Sequence, residues 1–243
     1  MKWKKYDDIR HSITREAARL MYEEGVSEYL RAKKIACKRL LGKGGATNAH
    51  FRPHMLPSNG EIRDALLALA DMMEGDSRFE RLFAMRIIAL EVMRALTPFD
   101  PALIGSVSTG HVRKGSDIDL HVFTDDIDAL EHHLFEQGWI YERSEVLIRR
   151  GDGFQEYTHF HLQRVFPIEL SVYDCFEKRI QQRSSTDGKP IVRIKPNQLE
   201  DLLMAEHTDD YLMYLQTGVL EDTIRWEEEL HFTSLAESEL DVL

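Results

Sequence analysis

Apolar positions in the first hundred residues recur at helical spacing. DDIRHSITREAARLMYEEG reads as a helix that stops at Gly25, and SEYLRAKKIACKRLLG as a second that stops at Gly42. Glycine and proline then mark GKGGATNAHFRPHMLP as a loop. In the next segment Ser58 and Glu61 form a capping box, and Ile62, Ala65, Leu66, Leu69 and Met73 line one face up to Gly75. Ser77 and Glu80 repeat the capping spacing and predict a fourth helix, RFERLFAMRIIALEVMRAL. That helix is apolar over most of its circumference, as a buried helix would be, and Thr97 and Pro98 stop it.

Beyond Pro98 the period changes from helical to alternating. ALIGS and DIDLHVF read as strands, DIDALEHHLFEQGW as a helix, and EVLIRR, YTHFHLQ and PIELSVYD as three more strands. A Gly-Asp-Gly turn joins the first two of those three. KPNQLEDLLMAEHTDD and YLMYLQTGVLEDTIRWEEEL return to helix. The order predicts an α/β (α+β) protein with a small mixed sheet. The expected division is an N-terminal helical region, residues 1–76, and a strand-and-helix domain, residues 77–243, that ends in C-terminal helices.

The chemistry gathers in one strand. Residues two apart on a strand face the same way, so Asp117, Asp119 and His121 share one face and Ile118, Leu120 and Val122 the other. The apolar side anchors the strand. The polar side holds two like charges close together, an arrangement that gains nothing by itself. A bare Asp-Ile-Asp is most often an exposed strand edge. A hard divalent cation removes the repulsion, and oxygen ligands at this spacing suit Mg²⁺. Upstream, Gly105 and Ser106 end a predicted strand. A tight Gly-Ser turn leading into a short helix leaves backbone N–H groups, with the Ser106 hydroxyl, near the carboxylates, where they would receive phosphate. Carboxylates beside a phosphate cradle fit phosphoryl or nucleotidyl transfer.

The stretch LIGSVSTGHVRKGSDIDLHVF resembles the DNA polymerase β-like nucleotidyltransferase superfamily, whose members carry a hydrophobic–Gly–Gly/Ser motif and, about a dozen residues on, Asp–hydrophobic–Asp/Glu–hydrophobic. Ile104, Gly105 and Ser106 match the first half, and Asp117, Ile118, Asp119 and Leu120 the second. Gly110, Arg113 and Ser116 fall where small bacterial members have Gly, Arg and Ser. Thr109 departs from the pattern, standing where many members have arginine. The motif covers about 19 residues, and with its helix–strand context the resemblance extends over roughly residues 77–175.

The resemblance implies a third carboxylate on a later strand beside the first. Glu169, in the apolar run FPIELSVYD, is the candidate, and Asp174, at the strand end and out of phase, is the alternative. It further implies two Mg²⁺ ions held by Asp117, Asp119 and Glu169, and an NTP, with ATP as one candidate, bound near Gly105, Ser106, Gly110, Arg113 and Ser116. An acceptor hydroxyl would attack the α-phosphorus and pyrophosphate would leave. The acceptor is a protein side chain, an RNA end or a small molecule. The N-terminal helices would select it or form a homo-oligomer interface.

Other features alter this picture little. His121 either tunes the ion site, contacts a base or lines the strand. His159 and His161 share a strand face, but without an evident third ligand they read as an exposed face rather than a zinc site. His132 and His133 read as surface residues, and RSSTDGKPIVR as a connector with basic ends. The net charge of −11 disfavours a long nucleic-acid duplex as partner. A local exception is the second helix, with Arg31, Lys33, Lys34, Lys38, Arg39 and Lys43. It reads as a solvated face, or as the lead of an RNA-binding module. Two isolated cysteines, no apolar run of membrane-spanning length and no signal peptide predict a cytoplasmic protein without a membrane partner. A catalytically silent regulatory protein on the same fold is the other reading.

Overall fold

The computed structural model describes residues 2–45, 56–150, 153–184 and 186–220. These hold eight α-helices and one five-stranded mixed sheet, the mixed α/β class that the alternation of periods predicts. The chain divides into two compact units. One takes the chain up to Arg78 and then Arg183–Lys189. The other takes Phe79–Gln182 and the chain from Pro190 on. No helix among the described residues is long and apolar enough to cross a membrane.

The first unit is built from α1 (Lys2–Glu23), α2 (Tyr29–Gly45) and α3 (Asn59–Glu74). Ile13, Ala17, Leu20 and Met21 of α1 meet Ala32, Ala36 and Cys37 of α2 and Ile62 and Leu66 of α3 in one buried cluster. The expected capping box is formed: Ser58 Oγ accepts from Glu61 N–H, and the Glu61 carboxylate accepts from Ser58 N–H. Glu61 also takes the Arg10 guanidinium, with Nε at 2.8 Å, and this hydrogen bond pulls its pKa down to about 2. The basic helix is partly spoken for. Arg39 pairs with Glu24 and Glu16, and Lys33 bonds to Asn59, whereas Arg31, Lys34 and Lys38 are exposed on one face. The connector RSSTDGKPIVR is drawn to this unit over Arg183–Lys189, where Asp187 accepts from Arg63 at 2.7 Å.

The second unit starts within α4 (Asp76–Ala95). Ser77 does not cap this helix. Gly75, with φ +52°, makes the whole turn from α3, so α4 begins at once and Ser77 donates instead to the Glu74 carbonyl. There follow β1 (Ala102–Leu103), α5 (Gly105–Thr109), β2 (Ile118–Phe123), α6 (Ile127–Glu136), β3 (Tyr141–Arg150), β4 (Gly153–Leu162), β5 (Ile168–Tyr173), α7 (Pro196–Glu206) and α8 (Thr208–Thr217). The strand order is β1-β2-β5-β4-β3, with β2 and β5 parallel and the other neighbours antiparallel. β3 starts earlier than its apolar run, and the expected C-terminal helices break at His207 rather than after Asp210. The residues between Gly42 and Pro57 numbered 46–55, the turn at 151–152 and the end of the last expected helix, from 221, lie outside the described residues.

Alternation decides which face of the sheet is covered. Ile118, Leu120 and Val122 of β2, Ile168, Leu170 and Val172 of β5, and Phe160 and Leu162 of β4 join α4, α6, α7 and α8 in one core. α4 is buried on nearly every side, as a helix apolar over most of its circumference predicts. His133 is half-buried rather than a surface residue. Its Nε2 lies 2.9 Å from the Ala95 carbonyl and its ring meets Phe99 edge-on. Leu120 is fully buried in the central strand pair, so Leu120→Ala is expected to destabilise the protein by about 2–5 kcal/mol through lost burial and the cavity left behind, measured by denaturant unfolding.

Candidate functional site

The sheet face opposite the core carries three rows of side chains, set by strand register. Asp119 of β2 lies beside Glu169 of β5, which lies beside His161 of β4. The next row is His121, Ser171 and His159. The third is Phe123, Tyr173 and Tyr157, joined by ring contacts of 6.1 Å and 4.9 Å. Asp117 precedes β2 and points to the first row. Carboxylate oxygens of Asp117, Asp119 and Glu169 all lie within 4.8 Å of one another. Asp174, the alternative third carboxylate, follows the end of β5 and heads a 3₁₀ turn, Cys175–Arg179.

The electrostatics follow from this crowding. Burial first, then the charges of Asp117 and Glu169, push the Asp119 carboxyl up to about 8. Asp117, open to solvent on one side, is raised by lost hydration and by Glu169, against the attraction of Arg113 and His161. Glu169 moves the other way. Its hydrogen bond from His159 Nδ1, at 2.9 Å, holds it below the usual carboxylate range.

The Gly-Ser turn is part of the same place. Gly105 has φ +70°, and a Cβ there would sit 2.1 Å from Asp119 Oδ2. Only glycine lets the backbone lie against that carboxylate. The Ile104 N–H donates to the Asp119 carbonyl at 3.0 Å, which fixes the turn to β2. Ser106 follows in the first turn of α5, half-buried, and its hydroxyl bonds to none of the described residues. Thr109, in place of an arginine, folds its hydroxyl back onto the Gly105 and Ser106 carbonyls.

The other expected contacts are placed differently. Gly110 ends α5 with φ +77°, and a side chain there would meet Arg86 and Leu82 rather than the carboxylates. Ser116 closes the turn before β2, its Oγ accepting from Arg113 N–H at 3.0 Å. The Arg113 guanidinium donates to the Lys114 carbonyl and lowers the Asp117 pKa by its charge. His121 is 2 % exposed. It accepts from Arg193 Nε at 3.2 Å and its ring lies 4.7 Å from that of Tyr173, so it ties the 190s segment to the sheet.

Two residues escaped the sequence reading. Arg86, 1 % exposed in α4, donates to the Val107 carbonyl of α5 and to Glu206 of α7 at 2.7 Å. A lone arginine inside RIIAL was the available signal. His159 is buried, not on an exposed face, because β5 and Glu169 lie beside it. Local alternation shows which way a side chain faces but not what stands next to it.

Three carboxylates that repel one another fit a hard divalent cation, whose charge would offset that repulsion. No family model matches the chain, and no curated protein matches it. Among solved structures it is similar to a cytoplasmic RNA terminal U-transferase, with 25% identity, 37% of this chain covered and a TM-score of 0.26. The chain spans 28% of the length of that protein.

Two outcomes test this geometry. In Gly105→Ala the new Cβ must displace the Asp119 carboxylate and the backbone stays in a left-handed conformation. A stability loss of at least about 1 kcal/mol is expected, with weakened Mn²⁺ binding in titration calorimetry. The raised Asp119 pKa means the folded state binds an extra proton between about pH 4, where an unfolded carboxylate titrates, and about pH 8. Stability without divalent ions is therefore expected to fall as pH rises through that window. Thermal melts in chelator should show the decline, and Asp119→Asn should flatten it.

Proposed function

We propose that the protein is a divalent-ion-dependent nucleotidyltransferase that moves a nucleoside monophosphate from an NTP to a hydroxyl acceptor, with release of pyrophosphate. The observation that carries this reading is the convergence of Asp117, Asp119 and Glu169 beside the Gly105–Ser106 turn. Mg²⁺ held by the three carboxylates would supply charge neutralisation for the triphosphate and for the oxygens that attack and leave.

The chain's own residues have separable parts in this. Asp117 and Asp119 would supply oxygen ligands from the start of β2, and Glu169 another from the neighbouring strand. Gly105 keeps the approach to Asp119 free of a side chain, and Ser106 offers a hydroxyl donor to a phosphate oxygen. Arg113, whose charge reaches Asp117, would offer a phosphate a cationic partner. Glu169, kept anionic by its histidine contact, suits proton acceptance from the acceptor hydroxyl as well as ion binding. Rate would come from positioning and from fixed charge rather than from covalent chemistry by the protein. ATP is one candidate donor, and the acceptor is a protein side chain, an RNA end or a small hydroxyl compound.

Incubation with each α-labelled NTP and Mg²⁺, with and without cell extract, is expected to give a labelled product and pyrophosphate. Asp119→Asn is expected to lower the rate by about a hundredfold or more. Absence of label and pyrophosphate with every NTP would sink the enzyme reading. If ion binding persisted in that case, the chain would be the silent, ion-binding relative instead.

A further inference from the structure

His159 is an unusual residue for its surroundings. It is 8 % exposed, in the middle of β4, in the row behind the carboxylates. Its Nδ1 lies 2.9 Å from Glu169 Oε1, and its Nε2 is buried without a hydrogen-bond partner among the described residues. Burying a polar atom unpaired disfavours the folded state, and an apolar side chain would fill the place without that penalty. The polar contact that remains to account for histidine is the one to Glu169. A carboxylate only accepts, so Nδ1 carries the proton and donates.

The donors around Glu169 are unevenly shared. Oε1 takes His159 Nδ1 and, at 3.4 Å, the Ser171 hydroxyl. Among the described residues, Oε2 has His161 Nδ1 at 4.0 Å, beyond hydrogen-bond range, and no hydrogen-bond donor. His159 and Ser171 stand in the row behind Glu169, away from Asp117. The carboxylate is thus tied on one oxygen and free on the other.

We propose that His159 is a positioning residue: by holding Glu169 Oε1 it fixes the carboxylate so that Oε2 is presented to a divalent cation shared with Asp117 and Asp119. The proposal rests on the ion-site reading above and deepens it. His159 itself binds no ion. It removes the rotational freedom of Glu169 before an ion arrives and leaves that carboxylate anionic. A donor behind a metal-ligating group typically changes metal affinity by 10–100-fold.

The test is Mn²⁺ binding to the full chain without nucleotide, by calorimetry or by the electron-spin signal of free Mn²⁺, beside thermal melts in chelator. His159→Phe is expected to weaken Mn²⁺ binding by about tenfold or more while the chelator melting temperature stays level or rises, since the unpaired Nε2 is gone. His159→Asn keeps an N–H donor at the Nδ1 position and is expected to recover most of the affinity. Asp119→Asn is the control that removes the ion site. Mn²⁺ affinity unchanged by His159→Phe, while Asp119→Asn abolishes it, would overturn the positioning role alone. Affinity lost in parallel with melting temperature in both His159 variants would also overturn it, since the residue would then serve only the fold. Failure of the wild-type chain to bind Mn²⁺ would remove the ion site and this inference with it.

Discussion

Asp119 and Glu169 occupy paired positions on neighbouring parallel strands, with Ile118 and Leu120 against Ile168 and Leu170 on the other side of the same pairs. That one register serves two opposed demands. The apolar residues must enter the core together, and because side chains alternate, the two carboxylates must then emerge together. A slip of one residue in either strand would bury that strand's acid and expose its apolar row. The core therefore enforces the repulsion at the site, and the fold does not relieve it. Burial first, and then this repulsion, raise the Asp119 pKa, and a divalent cation is the natural complement of the face.

The parallel pairing also explains why the site is spread along the chain. Parallel neighbours need a crossover, and here it runs through α6, β3 and β4 before β5 returns beside β2. Glu169 is thereby separated from Asp119 in sequence while adjacent to it in space. The crossover does more than connect. β4 pairs with the far side of β5, so His161 flanks Glu169 just as Asp119 does, and His159 reaches it from the next row. The glutamate sits between two strands of opposite character, one acidic and one bringing imidazoles. Those imidazoles account for its pKa shift being opposite to that of its acidic neighbours.

Much of this was legible in the residues. The strand face of Asp117, Asp119 and His121, the capping box at Ser58 and the buried character of α4 are local patterns, and local patterns report period and facing directly. The Gly105–Ser106 turn was legible as a turn. Its contact with Asp119 depended on resemblance, since nothing local says that a glycine lies against a carboxylate a dozen residues on. His159 was misread because its exposure depends on which strand becomes its neighbour, and strand order is not written in alternation. Ser77 was misread because the positive φ of Gly75 lets α4 begin at Asp76, ahead of the Ser77 and Glu80 spacing. The recruitment of Arg183–Lys189 to the helical unit brings in a long-range pair, Arg63 with Asp187, that no spacing rule anticipates.

The buried Arg86 shows how the rear layer reaches the front. It lies in α4, on the core side, yet it donates to the Val107 carbonyl of α5, the short helix that starts at Gly105. Through Glu206 it joins the same helix to α7. A charge this deep persists only when paired, so its partners are held as firmly as it is. The backbone at Gly105 is consequently fixed from behind by Arg86 and from the side by the Ile104 bond to Asp119. The two halves of the Gly-Ser and Asp-x-Asp motif are thus positioned by different forces. Apolar register sets the carboxylates, and the hydrogen bond of a buried arginine to the α5 backbone braces the turn. Changes on the core side should then act on the site through α5, without touching any group that would meet an ion or a phosphate.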